Sequence, residues 1–63
     1  MTAETFSLWL AAMKAAGLAR SDVDCAMLLG VSANTVVSWK HGGADLRTAL
    51  ACRALLHQLA PYE

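Results

Sequence analysis

The sequence carries little charge and no excess of either sign. Its 63 residues include five Lys and Arg and five Asp and Glu, which gives a formal net charge of zero with neutral His. A chain without a positive excess has no general electrostatic attraction to nucleic acid or to an anionic membrane. Any contact with nucleic acid must therefore depend on where a few cations are placed. The length predicts a single domain over residues 1–63, which is too small for a multidomain enzyme.

Cysteine and histidine are also scarce. Cys25 and Cys52 are the two cysteines, and His41 and His57 lie at no metal-binding spacing from them. This excludes a disulfide-dense scaffold and a four-ligand zinc site. We expect two buried free thiols in a reducing compartment, with no metal and no cofactor. No nucleophile–base pair, phosphate-binding glycine loop or carboxylate pair is recognisable, so the sequence favours neither an enzyme nor a small-molecule ligand.

Long hydrophobic runs are absent as well. The longest uncharged apolar stretch, from Phe6 to Met13, is too short to cross a bilayer. The segment from Met1 to Glu4 lacks the basic residues that begin a signal peptide. We therefore expect a cytoplasmic protein with no membrane partner.

The residues that are present divide into four helical segments separated by glycine. Apolar residues recur at the spacing of one helix face in the first segment, and no alternating β pattern occurs. Residues suited to the N-cap position precede each segment: Thr2 or Thr5, Ser21, Ser32 and Asp45. The sequence predicts a compact all-α fold with helices over about residues 3–16, 22–29, 33–41 and 46–59, the last one ending before Pro61.

The second and third segments form the most informative pattern. Two short helices separated by a turn with glycine are typical of the helix-turn-helix unit, whose second helix enters the DNA major groove. Ala26 is small enough for the two helices to cross closely, and Gly30 permits the positive φ of a sharp turn. Val31 is an apolar contact beneath the turn, and Ser32 caps the helix that follows.

The stretch from Ser21 to Gly42, with its run Leu29-Gly30-Val31-Ser32, resembles the Cro/C1-type (XRE-like) helix-turn-helix family. That pattern reads Ser-Gln-x-x-Leu-Ala-x-x-Leu-Gly-Val-Ser-x-x-Thr-Val-x-x-Trp-Glu-x-Gly. The resemblance implies a lambda-repressor-like fold and a small DNA-binding transcriptional regulator, as found among phage repressors, antitoxins and anti-CRISPR-associated repressors. Three residues depart from the pattern: Asp22 stands for the Gln that touches phosphate, Cys25 for Leu, and Lys40 for Glu.

Helical geometry predicts which residues of the third helix meet DNA. With Val36 and Trp39 facing inward, the opposite side of the helix turns outward. We expect four residues there to read bases: Ala33, Asn34, Val37 and Ser38. Phosphate contacts are expected from the backbone N–H groups that begin the second and third helices and from flanking polar residues, namely Arg20, Ser32, Lys40, His41 and Arg47.

The fourth helix has an apolar arc wider than one core-facing stripe. Leu46, Ala49, Leu50 and Leu56 share one side of it. The other side is predicted to hold a second copy of the chain, through Cys52, Leu55 and Leu59 together with Tyr62. The leading hypothesis is thus a homodimeric repressor that binds an inverted repeat. The alternative, which zero net charge favours, is a protein-interaction module, such as an antitoxin-like or co-regulator subunit, that does not read DNA.

Overall fold

A computed structural model describes residues 1–59 of the chain, which contain four α-helices and no β-strand. The helices are α1 (Ala3–Ala15), α2 (Asp22–Leu29), α3 (Ala33–Gly42) and α4 (Leu46–Leu56). The prediction of an all-α chain with four helices is confirmed, and the predicted starts of all four agree with the structure. None of these helices is long and apolar enough to span a membrane.

Each helix begins at a residue whose side-chain oxygen accepts a hydrogen bond from a backbone N–H three positions later. Thr2 Oγ1 accepts from Thr5 N at 3.1 Å, so Thr2 is the N-cap of α1 and the alternative, Thr5, lies inside the helix. The remaining N-caps are the predicted ones: Ser21, Ser32 and Asp45. These bonds satisfy N–H groups that have no partner within the helix, which fixes where each helix starts.

The end of α4 differs from the prediction. The helix stops at Leu56 rather than near residue 59, because Gln58 adopts a positive φ of 57°. The N–H groups of Gln58 and Leu59 then bond back to the carbonyls of Leu55 and Ala54, at 3.1 and 2.8 Å. Such back-bonding satisfies the last carbonyls of a helix and closes it.

All four helices contribute residues to one core. Phe6 is fully buried and stacks on Trp9 with ring centroids 5.6 Å apart, and Trp39 meets Phe6 edge-on at 5.5 Å. Trp9 Nε1 donates to the carbonyl oxygen of Cys52 at 2.9 Å, which ties α1 to α4. The buried residues are Phe6, Trp9, Leu10, Met13, Ala19, Cys25, Ala26, Val36 and Cys52. The predicted burial of both thiols is confirmed.

The burial of Cys52 corrects the expected use of the two sides of α4. Cys52 is 1% exposed, and Leu55 packs against the core of its own chain, so neither is available to a second copy. The side that remains in solvent carries Leu46 and Leu50, which are 73% and 61% exposed. The prediction is therefore wrong for Cys52 and Leu55 and for Leu46 and Leu50, whereas Leu56 packs against the core as its predicted side requires. Leu59 is exposed but follows the helix, and Tyr62 lies outside the described residues.

Candidate nucleic-acid interface

A turn of three residues, Gly30 to Ser32, joins α2 to α3. Gly30 has φ 74° and ends α2, and the next amide, of Val31, donates to the carbonyl of Ala26 at 3.0 Å. Ala26 is 2% exposed, which lets α2 and α3 approach closely. The turn holds α3 with its Val36 side against the core.

The opposite side of α3 is exposed over its whole length. Asn34, Val37, Ser38 and His41 follow one another at spacings of three and four residues, and all four are exposed. Such spacing places them on one face of the helix. Val37 is 52% exposed although it is apolar. The four residues predicted to read bases, which include Ala33 at the first position of the helix, are therefore all on solvent-accessible parts of α3.

The start of α3 favours the binding of an anion, and the end of α3 carries basic residues. Ser32 Oγ accepts from Thr35 N at 3.2 Å, and the first turn contains no acidic residue. The unpaired amides and the helix dipole at such a start attract negative charge. Lys40 and His41 lie in the last turn.

The start of α2 does not offer the same environment, contrary to the prediction. Its first turn contains Asp22 and Asp24, and Asp24 Oδ2 already accepts the backbone N–H of Arg20 at 2.9 Å. These carboxylates occupy the positive end of the helix and repel a phosphate. The expected phosphate contact through backbone amides is thus favoured at α3 and disfavoured at α2.

Asp22 forms the main charged contact of this region. Its two carboxylate oxygens accept from Lys40 Nζ at 2.9 Å and from Lys14 Nζ at 3.0 Å. The hydrogen bond from Lys40 and then that from Lys14 hold the pKa of Asp22 below its ordinary value of 3.8. Two residues that depart from the Cro/C1-type pattern, Asp22 and Lys40, are thus partners in one ion pair. Lys14, which sequence reasoning missed, completes the cluster from α1.

The remaining predicted phosphate contacts are on the surface but are not drawn into one cluster. Arg20 and His41 are exposed and have no ion pair among residues 1–59. The Arg47 side chain is 94% exposed, and its Nε lies 3.8 Å from Asp45 Oδ2. Arg47 borders a shallow groove beside Val31 and Trp39, which places it near the α2–α3 turn.

A second surface, which the sequence did not predict, lies between α1 and α4. We call it the α1/α4 groove. Its volume is about 550 Å³, with Trp9 in its floor and three exposed leucines at its sides: Leu8, Leu46 and Leu50 at 64%, 73% and 61% exposure. Each of these side chains projects into solvent away from the core. A contiguous apolar surface on so small a domain is typical of a contact site.

No three His, Cys, Asp or Glu residues within residues 1–59 are placed to share a metal ion. Comparisons with protein-family models, with curated proteins and with solved structures found no match to this chain.

Proposed function

We propose that this chain is a sequence-specific DNA-binding regulator of the Cro/C1-type, with a lambda-repressor-like helix-turn-helix, that acts as a homodimeric repressor in the cytoplasm. One observation carries the proposal. The outer face of α3 is exposed and carries Asn34, Val37 and Ser38, and none of these three side chains is buried or hydrogen-bonded within residues 1–59.

The side chains on this face have the chemistry that base recognition needs. The Asn34 amide donates and accepts at once, which matches N7 and N6 of adenine in the major groove. Val37 presents methyl groups to the methyl group of thymine, and Ser38 bonds to either kind of base edge. Ala33, at the start of the helix, is small and allows the backbone to approach the groove.

Contacts to the phosphates are few and local. The open start of α3 at Ser32 takes one phosphate, and the exposed basic residues that add to it are His41 in the last turn of α3, Arg20 before α2 and Arg47 at the start of α4. Lys40 contributes less than a free lysine because it shares Asp22 with Lys14. Since phosphate contacts set the dependence of affinity on salt, we expect a shallow slope of log K against log salt.

Two copies are needed for adequate recognition. At a rise of 1.5 Å per residue, α3 is about 15 Å long and reads only a few base pairs. The longest dimension of the described chain is 29 Å. Two copies side by side therefore fit an inverted repeat whose half-sites are about 34 Å apart, one turn of DNA.

Binding is tested first with a labelled duplex from the region upstream of the chain's own gene, and then by selection from random-sequence duplexes. On the selected site, Asn34→Ala is expected to lose about 1–3 kcal/mol and to relax base preference at one position. Ser7→Ala, which removes an exposed polar group from α1, is the control and should bind as wild type does. An equal loss on every single-base variant would assign Asn34 to positioning rather than reading.

A second candidate is a protein-interaction module that does not read DNA. The α1/α4 groove and the zero net charge favour it. It predicts that no duplex is enriched by selection and that Asn34→Ala has no effect on any partner.

A further inference from the structure

We propose that the α1/α4 groove is the surface through which two copies of this chain associate, related by a two-fold axis that crosses the middle of the groove between Leu8 and Leu50. The proposal rests on the homodimer of the proposed function and names its interface. It replaces the side of α4 that contains Cys52, which is filled by the chain's own core.

The first support is the direction in which the two helices run. Ala44 N donates to the carbonyl of Met1 at 2.9 Å, and Trp9 Nε1 donates to the carbonyl of Cys52 at 2.9 Å. The first contact lies just before both helices and the second lies well along both. Hence α1 and α4 start at the same end of the molecule and run side by side, with the apolar groove between them.

The second support is the placement of charge along this groove. Arg53, in the last turn of α4, lines the groove, and Glu4, in the first turn of α1, lies at its border, one helical turn before Leu8. Within residues 1–59 neither forms an ion pair. The hydrogen bond between Trp9 and Cys52 places these two residues at the same level along the helices, so Arg53 is level with Leu10. Glu4 precedes Leu10 by six residues, and the helical rise then separates the two charges by about 9 Å along the helix direction.

Opposite charges at the two ends of an apolar surface make that surface complementary to itself. A two-fold axis perpendicular to the line from Glu4 to Arg53 places Glu4 of each copy opposite Arg53 of the other copy, with the helices of the two copies crossing. The midpoint between the two charges is level with Leu8 and Leu50, so the second copy covers both leucines near the centre of the interface. The whole chain has zero net charge, so two copies do not repel each other overall.

The third support is the area available. The chain exposes 4435 Å² in all. A standard interface takes about 800 Å² from each partner, which here is nearly a fifth of the surface and so requires a complete face of the molecule. The α1/α4 face supplies three large apolar side chains, each more than 60% exposed, around a floor fixed by the Trp9–Cys52 hydrogen bond.

Sedimentation of the full chain over a wide range of concentrations tests the proposal. Wild type should change from monomer to dimer, and Leu46→Asp should weaken the dimer at least about 30-fold, a loss in the range found for interface hot spots. Asp suits the first position of a helix, so α4 should persist in circular dichroism. Met27→Asp is the matched control, since Met27 on α2 is also 73% exposed, and it should dimerise as wild type does.

Charge reversal tests the two-fold geometry. Glu4→Arg and Arg53→Glu each place like charges together twice per dimer, and each should weaken it about 10-fold or more. Both ionic contacts are restored between one copy of each variant, so an equimolar mixture should form a heterodimer. If the mixture stays monomeric where wild type is dimeric, the two-fold arrangement is wrong. If a charge-reversed variant does not fold, the effect of Leu50→Asp on dimerisation tests the same surface independently.

Wild type that stays monomeric at every concentration, or Leu46→Asp that dimerises normally, overturns the proposal. The proposed DNA function is judged separately, on a duplex with one half-site, which a monomer can bind. Half-site binding without dimerisation through the groove refutes this inference alone. Dimerisation through the groove without binding to any duplex refutes the DNA function alone.

Discussion

At the level of single residues, Asp22 is the most consequential side chain near α3. Its carboxylate joins α1, α2 and α3 by binding Lys14 and Lys40 at once. The side chain is 32% exposed and the two lysines 43% and 41%, so water screens both ion pairs and each contributes about 0.2–1 kcal/mol to stability. Its larger effect is on the proposed function, because it neutralises a cation on the helix that we propose to meet DNA.

We therefore expect Asp22→Asn to bind DNA more tightly than wild type. The change frees Lys14 and Lys40 and removes a negative charge from the start of α2, so affinity should rise about three- to tenfold on all sequences. The slope of log K against log salt should steepen by about one for each lysine that gains a phosphate contact. Fluorescence anisotropy on a half-site duplex at several salt concentrations measures both.

Glu4→Gln is the control for that experiment. It changes net charge by the same amount but lies on α1 beside the α1/α4 groove, and the half-site duplex removes any effect of dimerisation. Its affinity should stay near that of wild type. An equal gain in both variants would mean that net charge, and not the Asp22 cluster, limits binding.

The same carboxylate predicts a dependence of stability on acid. Its pKa in the folded chain lies below 3.8, its ordinary value, chiefly because of the Lys40 hydrogen bond. A lowered folded pKa gives stability that is present above the unfolded pKa and is lost as pH falls through the folded pKa. The Tm of wild type should therefore exceed that of Asp22→Asn at neutral pH, and the difference should vanish in strong acid. A difference that is constant with pH would contradict this assignment.

At the level of elements, the sequence predicted the starts of the helices better than their packing. Ser21, Ser32 and Asp45 act within three residues of themselves, so their roles follow from local sequence alone. The end of α4 was missed because Gln58, not a glycine, takes the positive φ. Periodicity showed two apolar sides on α4, but both Cys52 and Leu50 are apolar, and only the distant Trp9 contact decides which is buried.

The connection between α3 and α4 provides an element-level prediction. Gly43 has φ 85° and ψ 178°, a region that only glycine readily adopts, and an added Cβ would lie 2.6 Å from the Met1 carbonyl oxygen. Gly17, at φ 74°, has nothing within 4 Å of that position. Gly17→Ala should cost about 1–2 kcal/mol, and Gly43→Ala at least twice as much.

Thermal unfolding distinguishes the two glycine variants. A loss of 1 kcal/mol lowers the Tm of a domain of this size by about 4–8 °C. Similar Tm values for both variants would show that Met1 moves away from Gly43 at little cost and that the start of the chain is only loosely held.

At the level of the whole molecule, the contacts that organise the site join residues far apart in sequence. Asp22 and Lys40 are 18 residues apart, and Trp9 and Cys52 are 43 apart. The sequence singles out Asp22 and Lys40 separately, each as a departure from the Cro/C1-type pattern. Their pairing depends on how α2 and α3 cross, which no local pattern encodes.

Cooperative folding of the whole chain should govern the reactivity of its thiols. Cys25 and Cys52 are 0% and 1% exposed, and burial raises the pKa of both, that of Cys52 to about 11. At pH 8 only about one Cys52 thiol in a thousand would be ionised. A thiol reagent such as DTNB should label the native chain at least about 100-fold more slowly than the chain in denaturant. Rapid labelling of one cysteine without denaturant would reveal local opening.

The positions of the two tryptophans have an optical consequence. Trp9 lines the floor of the α1/α4 groove, whereas Trp39 lies on α3 behind the face that carries Asn34 and borders the groove beside Arg47. Indole emission shifts with local hydration and polarity, so Trp39→Phe leaves an emitter at the proposed dimer interface and Trp9→Phe leaves one near the proposed DNA interface. In a titration, the order in which the two emissions change would show whether the chain assembles before it meets the duplex or upon it.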